Sequence, residues 1–317
     1  MKPLKNNTGL WLLFIALLAT AVAAVFLGPV HNPDLQIILK VRLPRVLAGL
    51  MAGASLAGAG ALMQGVLRNP LADPYILGTS SGAALGAACS LMLGSGFGTP
   101  LFYILSIFGA FAATTASYFL ARADNRAPAI NLLLSGIIVS TFCGALILLF
   151  FSLRREDSFS VLMFMMGSIT ESSPSILCGA AVLFIIGAAT GILLSRQIDL
   201  MTLGEEKAQT LGVPAEKMKF MAFACGALMC AAAVMLSGTI GFVGLIVPHI
   251  CRLILGPAQR RLMLGSVMAG ALFLTAMDAL ARTAAAPAEI PVGVLTALAG
   301  APFFLWLLKK RGTGYGL

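Results

Sequence analysis

"QGVLRNPLADPYILGTSSGAALG", Gln64 to Gly86, sets a charged, proline-containing string between two apolar, glycine-rich runs. Arg68, Asn69 and Asp73 stand beside Pro70 and Pro74. Proline lacks a donor N–H and stops a helix, so the string reads as a short, rigid turn. Asn69 and Asp73 are of the residue types that cap a following helix. A capped turn accounts for the composition. It does not account for a turn so much more elaborate than the next one, "GSGFGTP" from Gly94 to Pro100.

The apolar runs on either side decide the fold class. The chain has 317 residues, 59% of them hydrophobic and 10% charged. A soluble domain is about half apolar and a quarter charged. Apolar runs of about 20 residues recur, enough for a helix to cross a hydrocarbon core of about 30 Å. In lipid every backbone polar group needs an internal partner, so repeated long runs imply helices. The period-two alternation of a membrane barrel is absent. The expected fold is an all-α polytopic membrane bundle of about ten transmembrane helices. Spans are placed near 9–29, 41–66, 75–94, 101–121, 129–151, 175–195, 218–237, 242–256, 262–281 and 291–308. Residues 1–317 are read as one transmembrane domain with no soluble domain attached. Lys2 and Lys5 ahead of the first run also suit a signal peptide. That run is long for a signal, so a retained first helix is expected.

The net charge of +9 follows the ends of these spans. With the N-terminus inside, Lys40, Arg42, Arg45, Arg154, Arg155 and Arg282 fall outside, and the other 15 of the 21 Lys and Arg fall inside. The positive-inside rule then places both termini in the cytosol. No basic stripe with interleaved aromatics points to nucleic acid. The cysteines form no C-x-x-C pair and lie in apolar stretches, as small buried hydrophobes do. Gly49 with Gly53, Gly78 with Gly82 and Gly86, and Gly187 with Gly191 have the four-residue spacing that lets helix backbones approach. "LAGLMAGASLAGAGALMQ" and "GSVMAGALFLTAMDALAR" are weakly alike, as inverted repeats would be.

Three further polar islands break the pattern. "KVRLPRVLAG", Lys40 to Gly49, puts three cations outside, against the general bias. They suit either headgroup anchoring or bidentate contact with an acidic partner. "RQIDLMTLGEEKAQTLGVPAEKMK", Arg196 to Lys219, is the longest strongly charged segment. Its composition predicts two short helices joined at "LGVP". Leu203, Leu211 and Val213 are apolar residues that a solvated loop has no need of, so the segment reads as a platform for a cytosolic partner. "GTIGFVGLIVPHICRL" and "MDALARTAAAPAEIPVG" put glycine and Pro248 where backbone lines a pathway. Asp278 and Arg282, at i and i+4, are placed to pair. His249 lacks companion ligands for a metal site. Met163, Met165 and Met166 read as flexible packing rather than a soft-metal path. Arg154 and Arg155 are expected to pair locally with Glu156 and Asp157.

Several chemistries lack their residues. There is no G-x-x-x-x-G-K-[ST] loop, no Ser–His–Asp arrangement and no H-E-x-x-H. Ion-coupled carriers place carboxylates inside the bundle, and Asp278 is the one clear intramembrane acid. The energy source is therefore expected outside this chain.

Taken together, "RLPR", "QGVLRNPLADPYILGTSSGA", "LGEEKAQTLG", "GFVGLIVPHICRL" and "AEIPVGVLTALAGAPFF" resemble the FecCD-type permeases of type II ABC importers, from about Arg42 to Lys310 and in the same order. That family takes up iron–siderophores, haem and cobalamin. The resemblance implies a multi-pass protein of the bacterial inner (plasma) membrane that works as a homodimer. It implies two ATP-binding subunits beneath, which hold the ATP and Mg, and a periplasmic or lipoprotein substrate-binding protein above. No catalytic residue, metal or cofactor is expected in this chain, and membrane lipid is its surroundings. The family's docking arginines match Arg42, Arg45 and Arg282. Its cytosolic gate matches Asn69 and Leu71, with a second gate near Ala129 and Ile130, where the polar residues of a cobalamin relative are missing. Its coupling segment, about 196–218, matches Leu203, Gly204, Ala208, Leu211 and Gly212. Substituting Arg42 or Arg45 by Glu is then expected to weaken docking without unfolding the chain. An iron chelate is the expected cargo on family frequency. The competing reading is a secondary carrier powered by an ion gradient.

Overall fold

A computed structural model describes residues 8–312, apart from 29–32, 97–98, 123–126, 154–157, 170–172 and 287. The expected pairing of Arg154 and Arg155 with Glu156 and Asp157 lies outside the described residues. Thirteen helices are described. In order they are α1 Thr8–Phe26, α2 Leu35–Val66, α3 Thr79–Met92, α4 Pro100–Leu120, α5 Ala129–Leu153, α6 Ser158–Met166, α7 Pro174–Leu193, α8 Ser195–Met201, α9 Glu205–Thr210, α10 Ala215–Ser237, α11 Val243–Leu255, α12 Gln259–Thr283 and α13 Val292–Gly312. α2 includes a π-helical stretch, Ile38–Arg42.

Each of the ten expected spans is a helix. Seven of them, α1, α2, α4, α5, α7, α10 and α12, are long and apolar enough to cross a membrane. α3 and α11 are not, with 14 and 13 residues. At 1.5 Å per residue each rises about 20 Å, short of a bilayer core of about 30 Å. Both begin deep in the bundle. Pro74, five residues before α3, and Gly244, at the start of α11, meet beside Leu56 of α2. Leu56 is ten residues, about 15 Å, from the end of α2 at Val66. The opening turn is thus re-entrant: it folds back along α2 before α3 departs.

α2 is the centre of the bundle. In its apolar window 83% of residues are buried, against 11% in α1. Its main neighbours are α12 and α10. The α2–α12 contact explains the weak repeat. Both copies contain Met-Ala-Gly-Ala, at 51–54 and 268–271. A Cβ on Gly53 would overlap the carbonyl oxygen of Gly270, and one on Gly270 would overlap that of Gly53. The helices run antiparallel. Arg45 pairs with Asp278 at one end, and Gln259 Nε2 donates to Ala61 O at 2.9 Å at the other. The similar segments therefore pack on each other. The spacing at Gly82 and Gly86 works in the same way, holding α3 to the backbone of α4 at Gly109 and Leu105.

The cysteines are free. Cys143, Cys225, Cys230 and Cys251 are buried, Cys89 is half-buried, and Cys178 is exposed on α7, an exception to the expected burial.

The Gly53 contact leaves no room for a side chain. Gly53→Val is expected to destabilise the folded chain by about 1–3 kcal/mol or more, as overpacking does. Gly144→Ala on α5, where a Cβ meets nothing within 4 Å, should not lower the melting temperature. Thermal melts in one detergent compare the two.

Candidate functional site

The two ends of the bundle carry different polar constructions. At one end lie Arg42, Arg45 and Arg282. α1 stops at Phe26, and its last carbonyls have no intrahelical partner. Arg42 Nη1 donates to Phe26 O at 2.6 Å and Val25 O at 3.3 Å. Arg282 donates to Leu27 O at 3.1 Å and Ala24 O at 3.2 Å. Two guanidiniums thus cap the negative end of the α1 dipole. They tie α1 into the bundle.

Arg282 Nε also lies 3.0 Å from Asp278 Oδ2, the expected i,i+4 pair. Arg45 approaches the other carboxylate oxygen from α2 at 3.0 Å and reaches Glu289 at 2.9 Å. Arg42 and Arg282 are buried, at 4% and 3% exposure. Arg45 is half-buried, and Glu289 is exposed. The tolerance expected of Arg42→Glu is therefore reversed. A carboxylate there would face the carbonyls of α1.

At the other end lie α8, α9 and the foot of α10. The two short helices are α8 and α9, joined at Thr202–Gly204. The expected second short helix after "LGVP" is instead the start of the long helix α10. Nothing between Ala215 and Ser237 breaks it, and its charged first turns are good helix formers. Gly204 and Gly212 frame α9 with φ of 114° and 81°, a region that favours glycine. Ala208 and Val213 anchor α9 inward, while Leu203 and Leu211 are each 58% exposed. Two large apolar side chains thus stand open on a polar face.

The re-entrant turn leaves this same end. Asn69 Oδ1 accepts from Leu71 N at 3.0 Å, closing the turn on itself. Asp73 Oδ1 accepts from Tyr75 N at 2.8 Å and caps a 3-10 turn, Pro74–Leu77. Arg68 has φ 50° and is exposed, with Nη2 at 3.7 Å from Glu205 Oε1 at the head of α9. Glu205 in turn accepts from Lys219 Nζ at 2.9 Å. Lys219 is 3% exposed, although it belongs to the charged segment. Its ammonium also meets Glu216 at 2.9 Å and donates to Ala127 O at 3.1 Å. Glu216 Oε2 accepts from Ala127 N at 3.2 Å. Ala127 stands two residues before α5, where Ala129 is half-buried and Ile130 is 75% exposed. One network thus joins Arg68, beside the "NPLA" turn, α9, the foot of α10 and Ala127 ahead of α5. Sequence reasoning missed Lys219, Glu205 and Glu216 as a group. Only the i,i+3 spacing of Glu216 and Lys219 hinted at it.

Between the ends the irregular backbone is satisfied locally. Ser168 N donates to Ser237 O at 2.9 Å, Thr239 N to Phe164 O at 3.1 Å, and Gly293 N to Gly167 O at 3.1 Å. α6 is thereby tied to the α10–α11 link and to the start of α13. Met165 and Met166 of α6 are exposed, and Met163 is half-buried. His249 is buried on α11. Among the described residues no three His, Cys, Asp or Glu side chains converge as a metal site.

Comparison with known proteins agrees with this arrangement. The FecCD transport family matches residues 8–310. The hemin transport system permease of Yersinia pestis is 40% identical, over 87% of this chain and 84% of its own length. The cobalamin import system permease of Halobacterium salinarum is 39% identical, over 93% and 79%. A solved metal-chelate type ABC transporter in an inward-facing conformation superposes with a TM-score of 0.88 at 31% identity, covering 96% of this chain and all of that one. With two ends built as described and a family match over nearly its whole length, the chain belongs to the FecCD transport family.

Proposed function

We propose that this chain is the transmembrane permease subunit of an ABC importer for a metal chelate. An iron–siderophore complex is the first candidate cargo, and haem or cobalamin are the alternatives. The whole chain acts as one transmembrane domain, in a homodimer in the bacterial inner membrane. Two separate ATP-binding subunits hold ATP and Mg, and this chain carries no cofactor of its own. A periplasmic or lipoprotein binding protein delivers the cargo to the arginine end. No nucleic acid is involved.

The observation that carries the reading is the network from Arg68 through Glu205, Lys219 and Glu216 to Ala127. Leu203, Gly204, Ala208, Leu211 and Gly212 form the surface on which the ATPase presses. The network conveys that motion to both gates, Asn69 with Leu71 and Ala129 with Ile130. A ligand shifts a conformational equilibrium only through contacts that differ between states. Closure of the ATPase pair supplies that difference here. At the opposite end Arg45 and exposed Glu289 form the accessible part of the docking face, and Arg42 and Arg282 fix its shape.

Uptake of labelled ferric siderophores, haem and cobalamin is measured in cells with and without the gene, with ATP depleted as a control. One cargo should be lost with the gene, and its uptake should need ATP. Uptake that survives ATP depletion and collapses with the ion gradient would identify a secondary carrier instead.

Lys219→Met removes the hub of the network while keeping its bulk. Uptake should fall about five-fold or more, in the range of typical coupling energies. ATP hydrolysis by the assembled transporter should persist. Arg68→Ala, which removes an exposed and longer ion pair, should cost less. Full uptake in the Lys219 variant would place the coupling path elsewhere.

Arg45→Gln should weaken binding of the substrate-binding protein and lower the melting temperature less than Arg42→Glu does, because buried Asp278 keeps Arg282 as a partner. Arg42→Glu should lower the melting temperature, because breaking buried charge contacts costs about 3–5 kcal/mol. Unaltered binding-protein affinity in Arg45→Gln would exclude Arg45 from the docking face.

A further inference from the structure

A groove of about 690 Å³ runs between α1 and α12 at the platform end, and no gate residue lines it. Arg260 and Arg261 stand at its mouth, in the first turn of α12. Arg261, Leu264 and Met268 lie at i, i+3 and i+7, so they share one stripe of the helix. That stripe runs about 10 Å into the bundle from the cations. The facing wall is α1, with Trp11 and Phe14 in edge-to-face contact at 6.2 Å. Trp11 is 64% exposed.

Both helices are long and apolar enough to cross a membrane. α1 lies at the rim of the bundle, with 11% of its apolar window buried, so a groove along it faces the lipid side. Its chemistry is asymmetric, with two guanidiniums at one end and only apolar walls below. Neither Arg260 nor Arg261 has an acidic partner within 4 Å among the described residues. A fitting ligand has an anionic head and an acyl tail, and the tail excludes a free phosphate. Tryptophan beside arginine at the headgroup level completes an interfacial lipid site.

We propose that this groove binds an anionic phospholipid of the cytosolic leaflet. The phosphate sits between Arg260 and Arg261, and one acyl chain lies along Leu264 and Met268 against Trp11 and Phe14. The proposal stands whichever cargo the transporter carries.

Trp11 reports on the site directly. The chain has two tryptophans, so Trp306→Phe leaves Trp11 as the sole emitter. The full-length variant is reconstituted in phosphatidylcholine vesicles with a minor fraction of acyl-brominated phosphatidylglycerol or acyl-brominated phosphatidylcholine. Bromine quenches tryptophan only at short range. Phosphatidylglycerol should quench Trp11 about two-fold more than phosphatidylcholine at equal fraction, as two basic contacts at a membrane surface suggest. Arg260→Gln with Arg261→Gln should bring the two lipids to parity. Arg122→Gln with Arg196→Gln removes the same charge elsewhere and should keep the preference. Both arginines of the groove are exposed, so their loss leaves packing intact. Equal quenching by the two lipids in the parent chain overturns the proposal. So does a preference that survives the groove variant, which would be a general surface potential. Parity in the parent together with loss of ATPase association in the groove variant would assign the arginines to a protein partner instead.

Discussion

The rest of the bundle depends on backbone meeting backbone where α2 crosses α12. Gly53 and Gly270 each sit against the other's carbonyl, with no side chain between them. In lipid there is no hydrophobic force to bring helices together, so association rests on close packing and on polar contacts. The crossing provides the packing. It also aligns α2 and α12 so that Arg45 meets Asp278 at one end and Gln259 meets Ala61 at the other. Gly60 extends the same principle by leaving space for the Gly244 carbonyl of α11. That carbonyl is four residues before Pro248, which has no N–H to offer it. α11 can therefore begin at mid-bundle because α2 has a glycine where α11 presents a loose carbonyl.

Two half-length helices follow from this centre. α3 and α11 both start near Leu56 and leave in opposite directions, each with an irregular link behind it. Irregular backbone at membrane depth persists only where protein surrounds it. The Ser168–Ser237, Thr239–Phe164 and Gly293–Gly167 bonds satisfy one link, and the Asn69 and Asp73 side chains satisfy the other. The polar string at Arg68–Tyr75 is elaborate for this reason. It has to turn at the platform end and then supply its own hydrogen-bond partners as it climbs beside α2.

Much of this was legible in the sequence. Length and hydropathy located a helix at each of the ten expected positions, because a membrane demands long apolar runs whatever their neighbours are. Glycine spacing identified the close helix contacts for the same reason. Depth was not legible. Hydropathy reads "GFVGLIVPHICRL" as a span, while its position beside Gly60 follows from a tertiary contact. The aim of a charged side chain was also hidden. Arg42 reads as an external cation, but its acceptors, Val25 and Phe26, are carbonyls of another helix and leave no mark in composition. Lys219 is the same case reversed. It sits in the most charged segment of the chain and is among its most buried cations, because Glu205, Glu216 and Ala127 reach it from three directions.

The placement of Asp278 bears on how such a chain would be driven. A carboxylate that couples transport to an ion gradient has to bind and release its ion in turn, with water at hand. The Asp278 side chain is 2% exposed and is held by Arg45 on one oxygen and Arg282 on the other. Protonating it would leave two guanidiniums without their shared counter-charge, at a cost of several kcal/mol for buried ions. The same two arginines hold Glu289 and the end of α1. Cycling that carboxylate would loosen three elements at once. Asp278 is built as a fixed strut. The partly exposed carboxylates of Glu205 and Glu216, at the opposite end, are the ones that a contact from outside the bundle can reach.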